Sequence, residues 1–354
     1  MLNWLQLNER VDRATQSPHL SADTIRSATK GRLSHYAYLF LPILFSHLFC
    51  SDAVGKEVTY RSISVADSGN LVILVQASGP DASLLRMFER GVSQSKDYRL
   101  SSAWIEEAIF SNDASKIYFT AMNIDSKSNE YKQWSLYEMP LSEFGKPVLL
   151  DRAPGKISSM WELTTSELIY LRGYARLPPR QRSIAHWVRR QKTGNIQQLS
   201  DRVYGYGVTT TVVSDSSLAF LDAVVVDGVT EQRIEHFSFT PGYAIKPLPI
   251  TTLPKRTQDF GCDRHGSICF TAETVDVPGR TFFHAKVRMH WSGGGCTVSL
   301  RGDWKPVMDL SGNGAYIALV EQKLDNARNI TKTEINVLRL SRNACATLVT
   351  SIVI

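Results

Sequence analysis

The chain has 354 residues, 43% of them hydrophobic and 21% charged, with 40 Lys and Arg against 34 Asp and Glu for a net charge of +6. This is a globular composition, with apolar material for one large domain or two medium ones. So mild a positive balance argues against a nucleic-acid binder, which usually shows a clustered basic face.

Polar residues 1–30 precede the stretch "KGRLSHYAYLFLPILFSHLFCSDAVGKE". Lys30 and Arg32 flank an apolar core at 37–49, and Ser51-Asp52-Ala53 places small residues at the −3 and −1 positions of a cut after Ala53. That is the layout of a secretory signal peptide. The core would form about 20 Å of helix, short of the ~30 Å hydrocarbon layer, and Pro42 interrupts it. The competing reading is an uncleaved anchor. Cys50 follows Phe49, which is too large for the residue before a lipidated cysteine. Residues 1–53 are therefore expected to be a leader, and 54–354 a mature exported chain with no membrane-spanning segment.

From there the chain repeats itself. A polar turn followed by a short apolar strand recurs as "ADSGNLVILVQ", "SNDASKIYFTA", "TTSELIYLRG", "SDSSLAFLDA", "RHGSICFTA" and "GNGAYIALVE". The first apolar residue of each strand falls at Val72, Ile117, Leu168, Leu218, Ile268 and Ile317, at spacings of 45, 51, 50, 50 and 49 residues. Periods of this size mark repeat architectures, propeller blades among them. Within each period four strand-like segments follow one another. In the second they are "WIEEAIF", "KIYFTAM", "WSLYEMP" and "KPVLLD"; in the third, "ISSMWEL", "ELIYLRGY", "SIAHWVRR" and "NIQQLS"; in the fourth, "VTTTVV", "SLAFLDAVVV", "IEHFSFT" and "AIKPLPIT". β-Branched and aromatic residues fill these segments, and turn residues separate them. The reading is an all-β, six-bladed β-propeller with four antiparallel strands, a to d, per blade. The blades span about 57–101, 102–153, 154–203, 204–254, 255–302 and 303–354. The order starts on an inner strand near Val58 and ends on an outer one near Ile354, so the ring is expected to close by side-chain packing between blades one and six.

The turn pattern (two polar residues, Asp or Asn, a small residue, a polar one, then an Ile-Ala-Phe-like triplet) resembles the repeat of TolB-type propellers. "SNDASKIYF" is its nearest copy here, and "SLYEMPLSEFGKPVLLD" resembles the way those blades end. The resemblance covers 57–352. It implies a stand-alone periplasmic or cell-surface binding platform, and related propellers cap peptidases. Fold alone does not fix function.

Strand a should line the central channel, with the a–b and c–d turns on one face and the b–c loops and linkers on the other. The b–c connections read as long and polar, which makes theirs the expected functional face. Arg172, Arg176, Arg180 and Arg182 come from the blade-three loop, and Lys156, Lys255 and Arg256 from linkers. They suggest a patch for a protein or an anionic envelope component, against the alternative of an ordinary solvated surface. Glu107, Asp259 and Asp309 are candidate channel carboxylates. A lyase, glycosidase or lactonase-like enzyme using them is the alternative function. G-x-S-x-G, H-E-x-x-H, P-loop and G-x-G-x-x-G motifs do not occur, and no catalytic residue, cofactor or metal is expected. His186, His236 and His284 each fall near the start of strand c; strands that diverge from the axis cannot converge on one ion, so they read as packing residues. Cys262 and Cys269 flank a short turn and form a disulfide candidate. Cys296 and Cys345, on the outer rim where blades splay, read as a doubtful bridge. The expected assembly is a monomer.

Overall fold

A computed structural model describes residues 58–354 apart from 79–82, 102, 126–129, 175–184, 201–208, 227–228, 244–246, 251–252, 255–256, 277–282, 303–306, 325–329 and 342–344. The chain is a six-bladed β-propeller. Each blade is an antiparallel sheet in which consecutive strands pair. The inner strands are Val58–Val65, Ala103–Phe110, Ile157–Glu162, Thr210–Ser214, Thr257–Cys262 and Met308–Leu310. Among the described residues no terminal strand joins another blade's sheet, and side chains of blades one and six pack against each other.

Strand b explains the repeated apolar triplet. In blade one it is Leu71–Ser78, and Val72, Ile73, Leu74, Val75 and Ala77 are all essentially inaccessible. A strand with neighbouring blades on both faces must be apolar on both, so it reads as a continuous run rather than an alternation. Each seam between adjacent blades holds its own apolar cluster. Ile73, Val75 and Leu85 meet Ile105 and Phe119 across the first seam, and Ile63, Val65 and Leu74 meet Ala318, Ile335 and Val337 across the last. Each such side chain fully buried contributes roughly 1.5–3 kcal/mol.

Several details differ from the sequence expectations. Blade four shows three strands among the described residues, and the described part of "AIKPLPIT", residues 247–250, is not a strand. Pro247 and Pro249 lack the N–H groups that a ladder needs. The b–c connections are mostly short. In blade four strand b is Ser217–Val226 and strand c Val229–Ser238, and Val226 pairs with Val229, so Asp227 and Gly228 alone stand between them. Polar stretches taken for loops are continuations of strands b and c. Blade three is the exception. Its strand b is Leu168–Gly173 and its strand c Ala185–Arg190, leaving eleven residues, 174–184, between them.

His236 pairs with Ala219, near the turn end of strand b, whereas His186 pairs with Arg172 and His284 with Val275 at the opposite end. The three histidines therefore do not share one place, because strand c of blade four starts farther out. Cys262 and Cys269 are joined by a disulfide, with their Cα atoms 4.0 Å apart. Cys296 and Cys345 are joined as well, their Cα atoms 5.8 Å apart, against the doubt raised by rim geometry. Both lie at the beginning of their outer strands, Gly294–Gly302 and Cys345–Val353, where blades five and six still approach each other.

Candidate functional site

The recurring turn fastens one blade to another. In blade two the Ser111 hydroxyl donates to Asp113, whose carboxylate also takes the Ser115 N–H, and Lys116 N–H returns to the Ser111 oxygen. These bonds hold the Asp113 carboxyl down at about 2, the Ser111 hydroxyl contributing most. With the turn fixed, its second residue points at the next blade. Asn112 donates its backbone N–H to the Glu162 carboxylate and its amide to the Leu163 carbonyl. Thr164 N–H donates to Asp215 of blade four. Arg264 N–H donates to the Gly312 carbonyl of blade six. Asp67 of blade one accepts the Asn313 N–H at 2.9 Å and the Arg264 guanidinium at 2.5 Å. Its backbone carbonyl takes the Asn313 amide at 3.0 Å.

A second set of contacts runs around the inner strands. Ala108 N–H donates to the Ser62 hydroxyl of blade one, and Cys262 N–H to Thr211 of blade four. Glu107 belongs to this set. Its carboxylate accepts the Ser159 N–H at 2.8 Å and the Met160 N–H at 3.2 Å from blade three. Ser159 sits at φ 56° in a bulge, which turns both amides toward the acid. Burial raises the Glu107 carboxyl above its ordinary range, and the two amides oppose that shift.

Asp309 holds the seam between blades six and one, accepting the Val65 N–H of blade one at 3.3 Å. Part of the residue stays exposed, but protein surrounds the carboxyl. Burial pushes it up to about 7, against hydrogen bonds from Ser64, Val65 and Leu310 and with a small push from Asp259. Asp259 and Asp309 lie on the inner strands of blades five and six, whereas Glu107 lies on blade two. The three candidate carboxylates do not form one cluster.

On the b–c side, Arg172 is already engaged. It forms a fork on Asp151 of blade two at 2.8 and 3.3 Å and donates to the Arg152 carbonyl, while Tyr170 donates to the same carboxylate. The Asp151 and Arg172 side chains are 7% and 18% exposed. This pair is a tie between blades and not a free basic group. Lys156 likewise pairs with Glu106 at 2.9 Å. Arg176, Arg180, Arg182, Lys255 and Arg256 lie outside the described residues. His186 Nδ1 bonds the Ser200 carbonyl, and His290 Nε2 bonds Thr271. Among the described residues no group of three His, Cys, Asp or Glu is placed to hold a metal ion, and no helix is long and apolar enough to cross a membrane.

No family model and no curated protein matches the chain. Solved structures do. TolB from Acinetobacter baumannii is 15% identical, with 82% of this chain covered and a TM-score of 0.54, and the chain spans 65% of that protein's length. The β-propeller domain of the Trilobed protease from Pyrococcus furiosus is 11% identical over 83% of this chain and 93% of that one, with a TM-score of 0.45. An acylaminoacyl peptidase from Pyrococcus horikoshii is 11% identical over 84% of this chain and 51% of its own, with a TM-score of 0.43. At such identity the likeness to TolB extends to the fold, and the fold the chain shares with it is the TolB-like β-propeller.

Proposed function

We propose that residues 54–354 act, after export, as a non-enzymatic binding platform whose b–c rim holds a protein or an anionic envelope component. One observation carries this reading: Glu107 and Asp309, the channel groups best suited to acid–base work, are spent on backbone amides of neighbouring blades. The freedom to bind is left to the rim. There blade three has an eleven-residue connection that carries Arg176, Arg180 and Arg182 around the stiff pair Pro178-Pro179. Arginine forks hold carboxylates and phosphates, and a stiff loop lowers the ordering cost of binding.

The test replaces Arg176, Arg180 and Arg182 with Ala and measures capture of envelope components across a salt series. Binding should weaken, most at low salt where exposed charges are least screened, with folding stability changed by less than ~0.5 kcal/mol. Unchanged binding across the series would move the contact surface elsewhere. Export is checked by N-terminal sequencing, which should begin at Val54; a soluble mature chain that retains residue 40 would refute it.

The Asp259–Asp309 neighbourhood favours a second reading, a propeller enzyme using channel carboxylates. Elemental analysis of the purified protein with a screen of glycan and ester substrates separates the two. Turnover that is lost in Asp309→Asn would establish the enzyme and displace the binding platform.

A further inference from the structure

A different surface lies where the last blade meets the first. A cleft of about 540 Å³ is lined by Arg90, Tyr316, Arg339, Thr347 and Leu348, among others. Tyr316, Arg339 and Thr347 stand side by side across strands b, c and d of blade six, and Arg90 follows strand c of blade one. All sit at the strand ends nearest the a–b and c–d turns, away from the b–c rim. Elsewhere the described arginines mostly have acids: Arg86 holds Asp97, Arg172 Asp151, Arg264 Asp67 and Arg288 Glu273. Neither Arg90 nor Arg339 side chain has an acid or any hydrogen-bond partner among the described residues, although both are exposed beside the cleft.

The cleft adjoins a strand edge that is equally unmatched. Strand d of blade six, Cys345–Val353, pairs on one side only, with strand c. From Asn343 to Ile354 no residue is charged, and Leu348 and Val353 are 57% and 62% exposed. Proteins normally protect such edges with Lys, Pro or a bulge that twists them away; this strand carries one bulge, at Val349, but no Lys, no Pro and no charge. A long uncharged edge offers a row of backbone donors and acceptors to an added strand, and two unpaired guanidinium groups lining one cleft attract anionic groups such as carboxylates.

We propose that this seam takes an extended acidic peptide, which adds to the edge of strand d and sets its carboxylates against Arg90 and Arg339. The site is separate from the b–c rim and stands whether or not the rim binds anything.

The test uses the full mature chain and a labelled peptide of about eight residues alternating glutamate and valine, followed by fluorescence anisotropy, with a lysine–valine counterpart as control. The glutamate peptide should bind and the lysine peptide should not. Arg90→Ala with Arg339→Ala should weaken binding about tenfold or more, and Arg90→Glu with Arg339→Glu should invert the preference. These residues are exposed, so an unchanged melting temperature separates lost recognition from lost folding. Hydrogen exchange should slow at 345–353 when the peptide binds. The proposal is overturned by equal binding of both peptides, by no binding of the glutamate peptide, by an indifferent double Ala variant, or by unaltered exchange at 345–353. Full displacement by inorganic phosphate with no slowed exchange would mark a small-anion site and overturn it too.

Discussion

Replacing Asp67 with Ala tests what keeps the first and last blades together. The substitution removes two acceptors from the seam: the one for Asn313 N–H at 2.9 Å and the one for the Arg264 guanidinium at 2.5 Å. The bond from the Asn313 amide to the Asp67 carbonyl survives. Hydrogen bonds to a charged group are worth about 1.5–3 kcal/mol each. Asp67 and Arg264 are 27% and 25% exposed, so solvent screening brings each nearer ~1 kcal/mol. Arg264 Nε is already buried without a partner, so loss of Asp67 leaves a poorly hydrated guanidinium with no acid, adding roughly 1 kcal/mol. The expected loss is about 2–3 kcal/mol, or about 3–5 °C in Tm for a domain near 300 residues. Asp67→Asn should lose about half as much, since it keeps an acceptor. Urea unfolding measures the loss, and hydrogen exchange should locate it in Val58–Val65 and Tyr316–Leu324. Asp113→Ala, which removes bonds inside one turn only, is the control and should leave that exchange unchanged. A loss below about 0.5 kcal/mol for Asp67→Ala, or equal exchange changes in both variants, would refute the seam-clasp reasoning.

The other predictions concern single groups. Asp309 ionises near 4 in the unfolded chain and at about 7 in the fold. Between those values the unfolded state releases its proton while the folded state keeps it, so stability falls as pH rises from about 4 to 7 and is flat above. The span is worth about 2–4 kcal/mol, the lower figure allowing for the part of the residue that stays exposed. Asp309→Asn should remove that slope, making the variant more stable than the parent at pH 8 and equal to it at pH 4; parallel pH–stability curves would contradict this. Gly69 sits at φ 68°, and a Cβ there would lie 2.6 Å from ring atoms of Tyr316. Gly69→Ala should therefore cost about 2–4 kcal/mol, and calorimetry should show much of the cost relieved in a Tyr316→Leu background. Removing the Cys296–Cys345 bridge, which spans 49 residues, should destabilise more than removing Cys262–Cys269, which spans 7. Loop entropy puts the difference at about 1.5 kcal/mol, and denaturant midpoints of the two double Ser variants should rank in that order.

The fold was legible because the repeat is enforced at two places at once. Turns such as Ser111–Lys116 must fold the same way in blade after blade to present their second residue to a neighbour, and strand b must be apolar on both faces. Strand ends were less legible: "EYKQ" before Trp134 reads as polar loop by composition, yet it belongs to strand c of blade two, Glu130–Pro140. Asp227-Gly228 carries a two-residue hairpin signal, and weighing it would have shortened the blade-four connection. The partner of Arg172 was beyond reach: Asp151 lies 21 residues earlier on another blade, and only the seam brings them together. Glu107 and Asp309 lie on inner strands. That they fasten blades depends on amides of Ser159 and Val65 that no local pattern reveals.

Site-specific photocrosslinking bears most directly on the proposed binding platform. A photoreactive residue at position 179, in the blade-three connection, is compared with one at position 68, on the a–b turn face, both in mature protein incubated with envelope extract. The account predicts one dominant adduct from position 179, lost when Arg176, Arg180 and Arg182 are all Ala and weakened by salt. An adduct of equal strength from position 68, or one from position 179 that persists in the triple variant, would contradict it.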